Sequence, residues 1–194
     1  MNTHLKIGIL GGTFNPVHLG HIELAEKSVD RLGLDKLIFV PAYIPPHKRY
    51  DSGIIKWQDR YRMIELAIDG KKGFDISDVE IKRKGASYSI NTIKEFKEIY
   101  GDKDALYFIA GSDSVGELDT WKDIDELKKL CTFVIVKRPG FKAQAPPEDT
   151  VVLELDTPDI SATDIRECIK KRLPFQQKVP EKVYQYIIER RLYL

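Results

Sequence analysis

Short runs of apolar residues alternate along the chain with segments in which apolar residues recur every three or four positions. The short runs are typical of buried strands, and the periodic segments are typical of amphipathic helices. The pattern predicts strands at residues 5–10, 37–40, 74–81, 105–110, 133–136 and 151–155. It predicts helices over residues 18–31, 55–69, 89–100, 161–172 and 180–190, with a short further helix that begins at Asp123 in a capping-box pattern.

Strands that alternate with helices indicate an α/β fold. We expect a Rossmann-like, doubly wound, mostly parallel sheet of about six strands with helices on both faces. Residues 1–194 are expected to form one domain, with a helical C-terminal part from about residue 160. In such sheets ligands bind outside the carboxyl ends of the strands, so the residues that follow each strand are the first candidates for chemistry.

Composition and charge exclude several classes of protein. The 194 residues carry 31 Lys and Arg against 30 Asp and Glu, and 42% are hydrophobic, which argues against disorder and against a sequence-independent nucleic-acid binder. No apolar run approaches the roughly 20 residues of a membrane span. Cys131 and Cys168 form no CxxC pair, and the first residues lack a signal-peptide pattern. We expect a cytoplasmic protein that binds neither nucleic acid nor membrane, and the sequence leaves open whether it forms a homo-oligomer.

The segment after the first predicted strand carries a dense group of polar and flexible residues. Gly11 and Gly12 would let the backbone approach a ligand and take a positive φ, and Thr13 adds a hydroxyl. His18 and His21 share one face at a helix start, where unpaired N–H groups and the helix dipole favour an anion. We interpret this as a phosphate-binding turn rather than a plain turn with two helix-face histidines. A zinc site is disfavoured because no further ligand lies at suitable spacing, and neither GxGxxG nor the P-loop pattern is present.

A second anion site is predicted near the C-terminal end. Ser161 is a suitable N-cap for the helix over residues 161–172, and Arg166 carries a planar guanidinium that fits a phosphate. The alternative is an ordinary capped helix with a surface arginine.

These two segments resemble the signatures of the HxGH nucleotidyltransferases. GGTFNPVHLGH at residues 11–21 is similar to their GGTFxPxHxGH signature, and ISATDIR at residues 160–166 is similar to their ISSTxIR signature. Asn15 and Ala162 replace the commoner Asp and Ser, without loss of a His, an Arg or a capping hydroxyl. Within this superfamily nearly the whole chain resembles the bacterial nicotinate-nucleotide adenylyltransferases. That implies transfer of the adenylyl group of ATP to nicotinate mononucleotide in NAD biosynthesis, giving deamido-NAD and pyrophosphate.

The resemblance also implies roles for individual residues. The catalytic residues would be His18, His21 and Arg166. The residues that bind ATP would be Gly11, Gly12, Thr13, Phe14, His18, His21, Gly111, Asp113, Ile160, Ser161, Thr163 and Arg166. Those that bind the mononucleotide would be Lys48, Tyr88, Ser89, Trp121 and Arg138.

Several of these residues have a purely structural alternative. Asp113 follows a strand and could accept hydrogen bonds from ribose hydroxyls or cap the next turn. Trp121 lies outside any apolar stripe and is expected to be exposed, and the resemblance implies that it stacks on the pyridine ring. The alternative is a partly buried packing residue, as Trp57 is assigned to the core. Ser89 could cap its helix as well as help to receive a carboxylate, and Arg138 could be a surface residue of a turn.

Adenylyl transfer needs positioning and charge stabilisation more than a protein nucleophile. Mg²⁺ would neutralise the triphosphate with few protein ligands and many waters, so no protein metal site is predicted. Other acceptors stay open, namely nicotinamide mononucleotide and phosphopantetheine, although the pantetheine enzymes usually have Thr where His18 stands. A nucleotide-binding sensor without turnover is a further alternative.

Overall fold

The computed structural model describes residues 4–46, 51–112, 116, 118, 120–137 and 149–194. In these residues six strands form one sheet, with the spatial order β3-β2-β1-β4-β5-β6, and each neighbouring pair is parallel. The strands are β1 (Lys6–Gly12), β2 (Lys36–Pro41), β3 (Phe74–Ile76), β4 (Ala105–Gly111), β5 (Thr132–Lys137) and β6 (Thr150–Glu154). The prediction of a Rossmann-like sheet is confirmed, and the sheet is parallel throughout.

Seven α-helices occur in the described part of the chain. They are α1 (Leu19–Leu32), α2 (Trp57–Ile68), α3 (Val79–Arg83), α4 (Ser89–Tyr100), α5 (Ile124–Leu130), α6 (Ala162–Lys170) and α7 (Glu181–Glu189). None of the helices in these residues is both long and apolar enough to cross a membrane.

Helices cover both faces of the sheet because successive strand residues point to opposite sides. In β2, Leu37 and Phe39 belong to one buried cluster, and Ile38 and Val40 belong to the other. The first cluster is completed by residues of α1, α2, α6 and α7, and the second by residues of α3, α4 and α5. The chain is therefore doubly wound.

Strand order determines where a ligand can bind. The chain enters the middle of the sheet at β1, builds outward through β2 and β3, and then returns to β4 on the other side of β1. The connections on the two sides of this switch point diverge and leave a crevice at the carboxyl ends of β1 and β4.

One predicted strand is only partly a strand. The prediction covered residues 74–81, whereas β3 ends at Ile76 and a short helix, α3, begins at Val79. Ser77 Oγ accepts the Val79 N–H at 3.3 Å, and the Lys82 N–H donates to the Asp78 carbonyl at 2.8 Å. Ser and Asp form such local bonds readily and thereby favour a helix start over an extended strand.

Two smaller expectations also differ. Asp123 precedes α5, but its side chain makes no capping hydrogen bond, so the capping-box prediction is wrong. Trp57, assigned to the core, is only half-buried and belongs to neither buried cluster. The buried face of α2 is formed instead by Arg60, Met63, Ile64, Ala67 and Ile68.

Candidate active site

A cavity of about 420 Å³ opens at the carboxyl ends of β1 and β4. Its volume lies in the range of small-ligand sites, and it occupies the crevice expected from the strand order. All the predicted site residues that the structure describes line it: Gly11, Gly12, Thr13, Phe14, His18, His21, Tyr88, Ser89, Gly111, Trp121, Ile160, Ser161, Thr163 and Arg166. The predicted residues Lys48, Asp113 and Arg138 lie outside the described residues.

The turn after β1 differs from the expectation in its backbone. Gly11 and Gly12 do not have a positive φ, whereas Phe14 has a φ of 49°. A Cβ on Gly12 would lie 2.9 Å from Cζ of Phe14, so a glycine is needed here to make room for a ring. The buried Phe14 ring contacts the imidazole of His21 edge-on, with 5.0 Å between ring centroids. Gly12 therefore serves the packing that holds His21.

His18 and His21 form a compact pair at the start of α1. Their ring centroids are 3.7 Å apart, and His18 is buried with 2% of its surface exposed. The His18 backbone N–H donates to Nδ1 of His21 at 3.3 Å. Because a ring nitrogen that accepts a hydrogen bond cannot carry the proton, the neutral form of His21 holds its proton on Nε2.

Gly20, between the two histidines, is a residue that the sequence analysis did not assign. A Cβ at this position would lie 3.0 Å from Nδ1 of His18, which is closer than most real contacts. The glycine of the signature thus leaves space for the His18 ring against the start of α1.

The second signature forms a capped helix start beside the first. Ser161 Oγ accepts the Asp164 N–H at 3.0 Å and caps α6. Nη1 of Arg166 donates to the Asn15 carbonyl at 2.8 Å, and Nη2 donates to Thr163 Oγ1 at 3.2 Å. These bonds tie the two signatures together and hold the guanidinium at the cavity wall.

Arg60 supports the site from beneath, and the sequence analysis missed it. It is 1% exposed, and its guanidinium donates to the carbonyls of Thr13 at 2.7 Å, Ala42 at 2.6 Å and Ile55 at 3.2 Å. Burial lowers the pKa of Arg60 to about 10, so the side chain is still charged at neutral pH. One cation thus fastens the turn after β1 to the segments after β2 and before α2. The sequence did contain a signal for this buried arginine. Arg60 lies three positions before Met63 and four before Ile64, and this spacing places it on the apolar face of α2.

Aromatic and basic side chains form another wall of the cavity. Trp121 is half-buried rather than exposed, because its ring packs edge-on against Phe108 at 5.8 Å and Phe133 at 5.9 Å. The expectation of an exposed tryptophan is therefore wrong, although Trp121 does line the cavity. Lys122, which also lines it, places Nζ 5.1 Å from the centroid of the Tyr88 ring.

The start of α4 faces the same cavity. Tyr88 is the N-cap residue and Ser89 is the first helical residue, so Ser89 does not cap the helix as the structural alternative proposed. The first N–H groups of a helix have no partner within it, which leaves them suited to an anion.

A buried carboxylate stiffens this part of the wall. Glu80 is 7% exposed and accepts hydrogen bonds from the hydroxyls of Thr92 and Ser87. Ser87 Oγ in turn accepts the Tyr43 N–H at 2.9 Å. Burial raises the pKa of Glu80, while the two hydroxyls and the nearby Arg83 guanidinium oppose that rise. The sequence analysis did not identify this network, which joins the segment after β2 to the start of α4.

Metal ligands are not clustered in the described residues. Among them, no group of three or more His, Cys, Asp or Glu side chains could hold a metal ion.

Comparison with known proteins gives concordant results. The model of the family described as "Cytidylyltransferase-like" matches residues 9–168. The chain is 43% identical over 204 residues to the probable nicotinate-nucleotide adenylyltransferase of Thermoanaerobacter sp. (strain X514), covering 100% of this chain and 96% of the relative. It is 40% identical over 199 residues to the protein of that name from Clostridium tetani (strain Massachusetts / E88), covering 97% of this chain and 98% of the relative.

A solved structure shows the same fold. Plasmodium falciparum nicotinic acid mononucleotide adenylyltransferase, complexed with NaAD, superposes with a TM-score of 0.82 at 20% identity, covering 98% of each chain. At this identity the likeness concerns the fold.

Proposed function

The chain belongs to the cytidylyltransferase-like family and, within it, to the nicotinate-nucleotide adenylyltransferases, and on this premise we propose that it transfers the adenylyl group of ATP to nicotinate mononucleotide. The products are deamido-NAD and pyrophosphate. One observation carries the proposal: the residues of both signatures line a single cavity, with His18, His21 and Arg166 in its wall.

The reaction is an in-line displacement at phosphorus. An oxygen of the acceptor's 5′-phosphate attacks the α-phosphorus of ATP, a new P–O–P bond forms, and the bond to the β-phosphate breaks as pyrophosphate leaves. No protein nucleophile is needed, so the side chains act by holding the two phosphates in line and by stabilising charge.

Each signature contributes donors to this step. In its neutral form the His21 ring carries its proton on Nε2 and so can donate to a phosphate oxygen. The His18 ring lies against it, with ring centroids 3.7 Å apart and an interplanar angle of 33°. Arg166, anchored by Asn15 and Thr163, supplies a fixed cation. We assign these three side chains to the transferring and leaving phosphates, and the turn at residues 11–14 to the close approach of ATP.

The wall at Tyr88, Ser89 and Trp121 is assigned to the acceptor. Its features fit an anionic aromatic ring: the start of α4 offers N–H groups to a carboxylate, and Trp121 offers a rigid aromatic face. Lys122 adds positive charge at the same wall. The roles of Lys48, Asp113 and Arg138 rest on the family resemblance.

Mg²⁺ fits this site as a partner of ATP. Mg²⁺ in nucleotide sites commonly keeps its waters and binds substrate phosphates. When bound it neutralises charge on the triphosphate. We further propose that residues 1–194 work as one domain, because residues of both signatures line the same cavity.

Two alanine variants, each replacing one histidine, test the proposal. His18→Ala is expected to lower kcat by at least about a hundredfold, because it removes a preorganised donor for the transferring phosphate. His4→Ala is the matched control, since His4 is exposed near the N-terminus and lies outside the cavity lining. Product would be followed as deamido-NAD by chromatography. Equal rates for the two variants would remove His18 from the mechanism.

A further inference from the structure

The C-terminal end of the chain contacts the first signature. Tyr193 Oη lies 3.1 Å from Oδ1 of Asn15, across 178 residues of sequence. Tyr193 does not line the cavity, whereas Asn15 does. The tyrosine therefore lies one contact away from the site.

Both polar atoms of the Asn15 amide have partners, and the amide orientation fixes the direction of this hydrogen bond. Its Nδ2 donates to the Gly53 carbonyl at 2.9 Å, and its Oδ1 accepts the Ile55 N–H at 3.3 Å. Because Oδ1 can only accept, the Tyr193 hydroxyl must donate. Burial raises the pKa of Tyr193, so the phenol keeps this proton at the pH values at which enzymes work.

The backbone of the turn that contains Tyr193 has an unfavourable conformation. Arg191 and Tyr193 have φ values of 52° and 66°, in the left-handed region that costs free energy for residues other than glycine. The Leu192 N–H donates to the Ile187 carbonyl at 3.1 Å, and the side chains of Leu192 and Tyr193 pack against the first buried cluster. The fold therefore retains a costly turn that returns the end of the chain to Asn15.

Asn15 connects this turn to a catalytic side chain. Its backbone carbonyl is the anchor of Arg166 Nη1 at 2.8 Å, while its side chain is held by the loop before α2 and by Tyr193. We propose that Tyr193 is a positioning residue for adenylyl transfer: by holding the Asn15 side chain it keeps the Asn15 carbonyl, and hence Arg166, where the triphosphate binds. This inference rests on the proposed function.

The test compares two tyrosines of the C-terminal segment. Tyr193→Phe removes the hydroxyl that reaches Asn15. Tyr186→Phe is the matched control, because its hydroxyl bonds to Asp59 of α2 at 2.8 Å and does not contact the signature turn. Both variants would be assayed for kcat, for KM of each substrate, for the dissociation constant of Mg-ATP and for Tm.

Tyr193→Phe is expected to lower kcat/KM for ATP by about tenfold, with the KM of the mononucleotide unchanged, since small displacements of a phosphate ligand are costly. Both variants are expected to lower Tm by similar amounts. Tyr186→Phe is expected to leave kcat/KM for ATP unchanged. Matching kinetics for the two variants, or an equal rise in both KM values after Tyr193→Phe, would overturn the proposal. If the wild-type chain forms no deamido-NAD, the proposed function fails. The Mg-ATP dissociation constants then decide the role of Tyr193: a weaker constant for Tyr193→Phe alone supports it, and equal constants refute it.

Discussion

Replacing Arg60 by methionine should destabilise the fold more than any substitution on the exposed face of the same helix. The guanidinium donates to four carbonyls, those of Thr13, Ala42, Tyr43 and Ile55, and Arg60→Met leaves these acceptors without that donor. A lost bond to a charged donor costs about 1.5–3 kcal/mol. The gain from no longer burying a charge offsets part of this loss, so we expect a net cost of about 4 kcal/mol.

The assay is urea unfolding followed by tryptophan fluorescence. With an m-value of about 2 kcal/mol/M, a loss of about 4 kcal/mol lowers the urea midpoint by about 2 M. Arg62→Met is the control, because Arg62 lies on the same helix and pairs with Glu65 at the surface at 3.1 Å. Such surface pairs contribute at most about 1 kcal/mol.

Arg60→Lys separates charge from geometry. It keeps the cation but replaces the planar fork by a single ammonium group, which cannot match carbonyls of three separate segments. We expect about half the loss seen for Arg60→Met, together with a higher KM for ATP, because the Thr13 carbonyl is no longer held. If the midpoint of Arg60→Met equals that of Arg62→Met, Arg60 does not fasten these segments and this reasoning is refuted.

Three further predictions concern the cavity. Trp121→Ala should raise the KM of the mononucleotide far more than that of ATP in steady-state assays, and an equal effect on both would remove Trp121 from the acceptor wall. Gly20→Ala should lower kcat by about tenfold or more, because a Cβ 3.0 Å from His18 Nδ1 displaces that ring, while an unchanged kcat would show that the turn accommodates it. Burial raises the pKa of Glu80, so the folded protein binds this proton more tightly than the unfolded chain and loses stability as the pH rises from the ordinary glutamate pKa through the raised one. In a plot of the urea midpoint against pH, Glu80→Gln should reduce the slope over this pH range. An unchanged slope would contradict a raised pKa for Glu80.

Most of the sheet could be predicted from the sequence because its signals are local. Runs such as residues 37–40 and 133–136 are apolar throughout, as strands covered on both faces must be. The helix start at Val79 was not predicted, because apolar residues alternate on both sides of Ser77 and alternation favours a strand. The signature residues were also recognisable, because their chemistry is carried by side chains at fixed spacing.

The supporting contacts could not be predicted in the same way. Arg60 bonds to backbone carbonyls, which all residues possess, so no residue type in the sequence marks its partners. Trp121 looked exposed because it lies on no helical stripe, but its packing partners Phe108 and Phe133 come from neighbouring strands. The bond between Tyr193 and Asn15 spans 178 residues and leaves no local pattern.

The most direct test of the central claim is pyrophosphate release from Mg-ATP with three acceptors in parallel: nicotinate mononucleotide, nicotinamide mononucleotide and phosphopantetheine. Transfer to nicotinate mononucleotide predicts release with the acid form alone or far faster than with the other two. Faster release with either other acceptor would contradict the substrate assignment while keeping the transfer chemistry. Binding of ATP without release in any of the three reactions would contradict the enzymatic function and favour a nucleotide sensor.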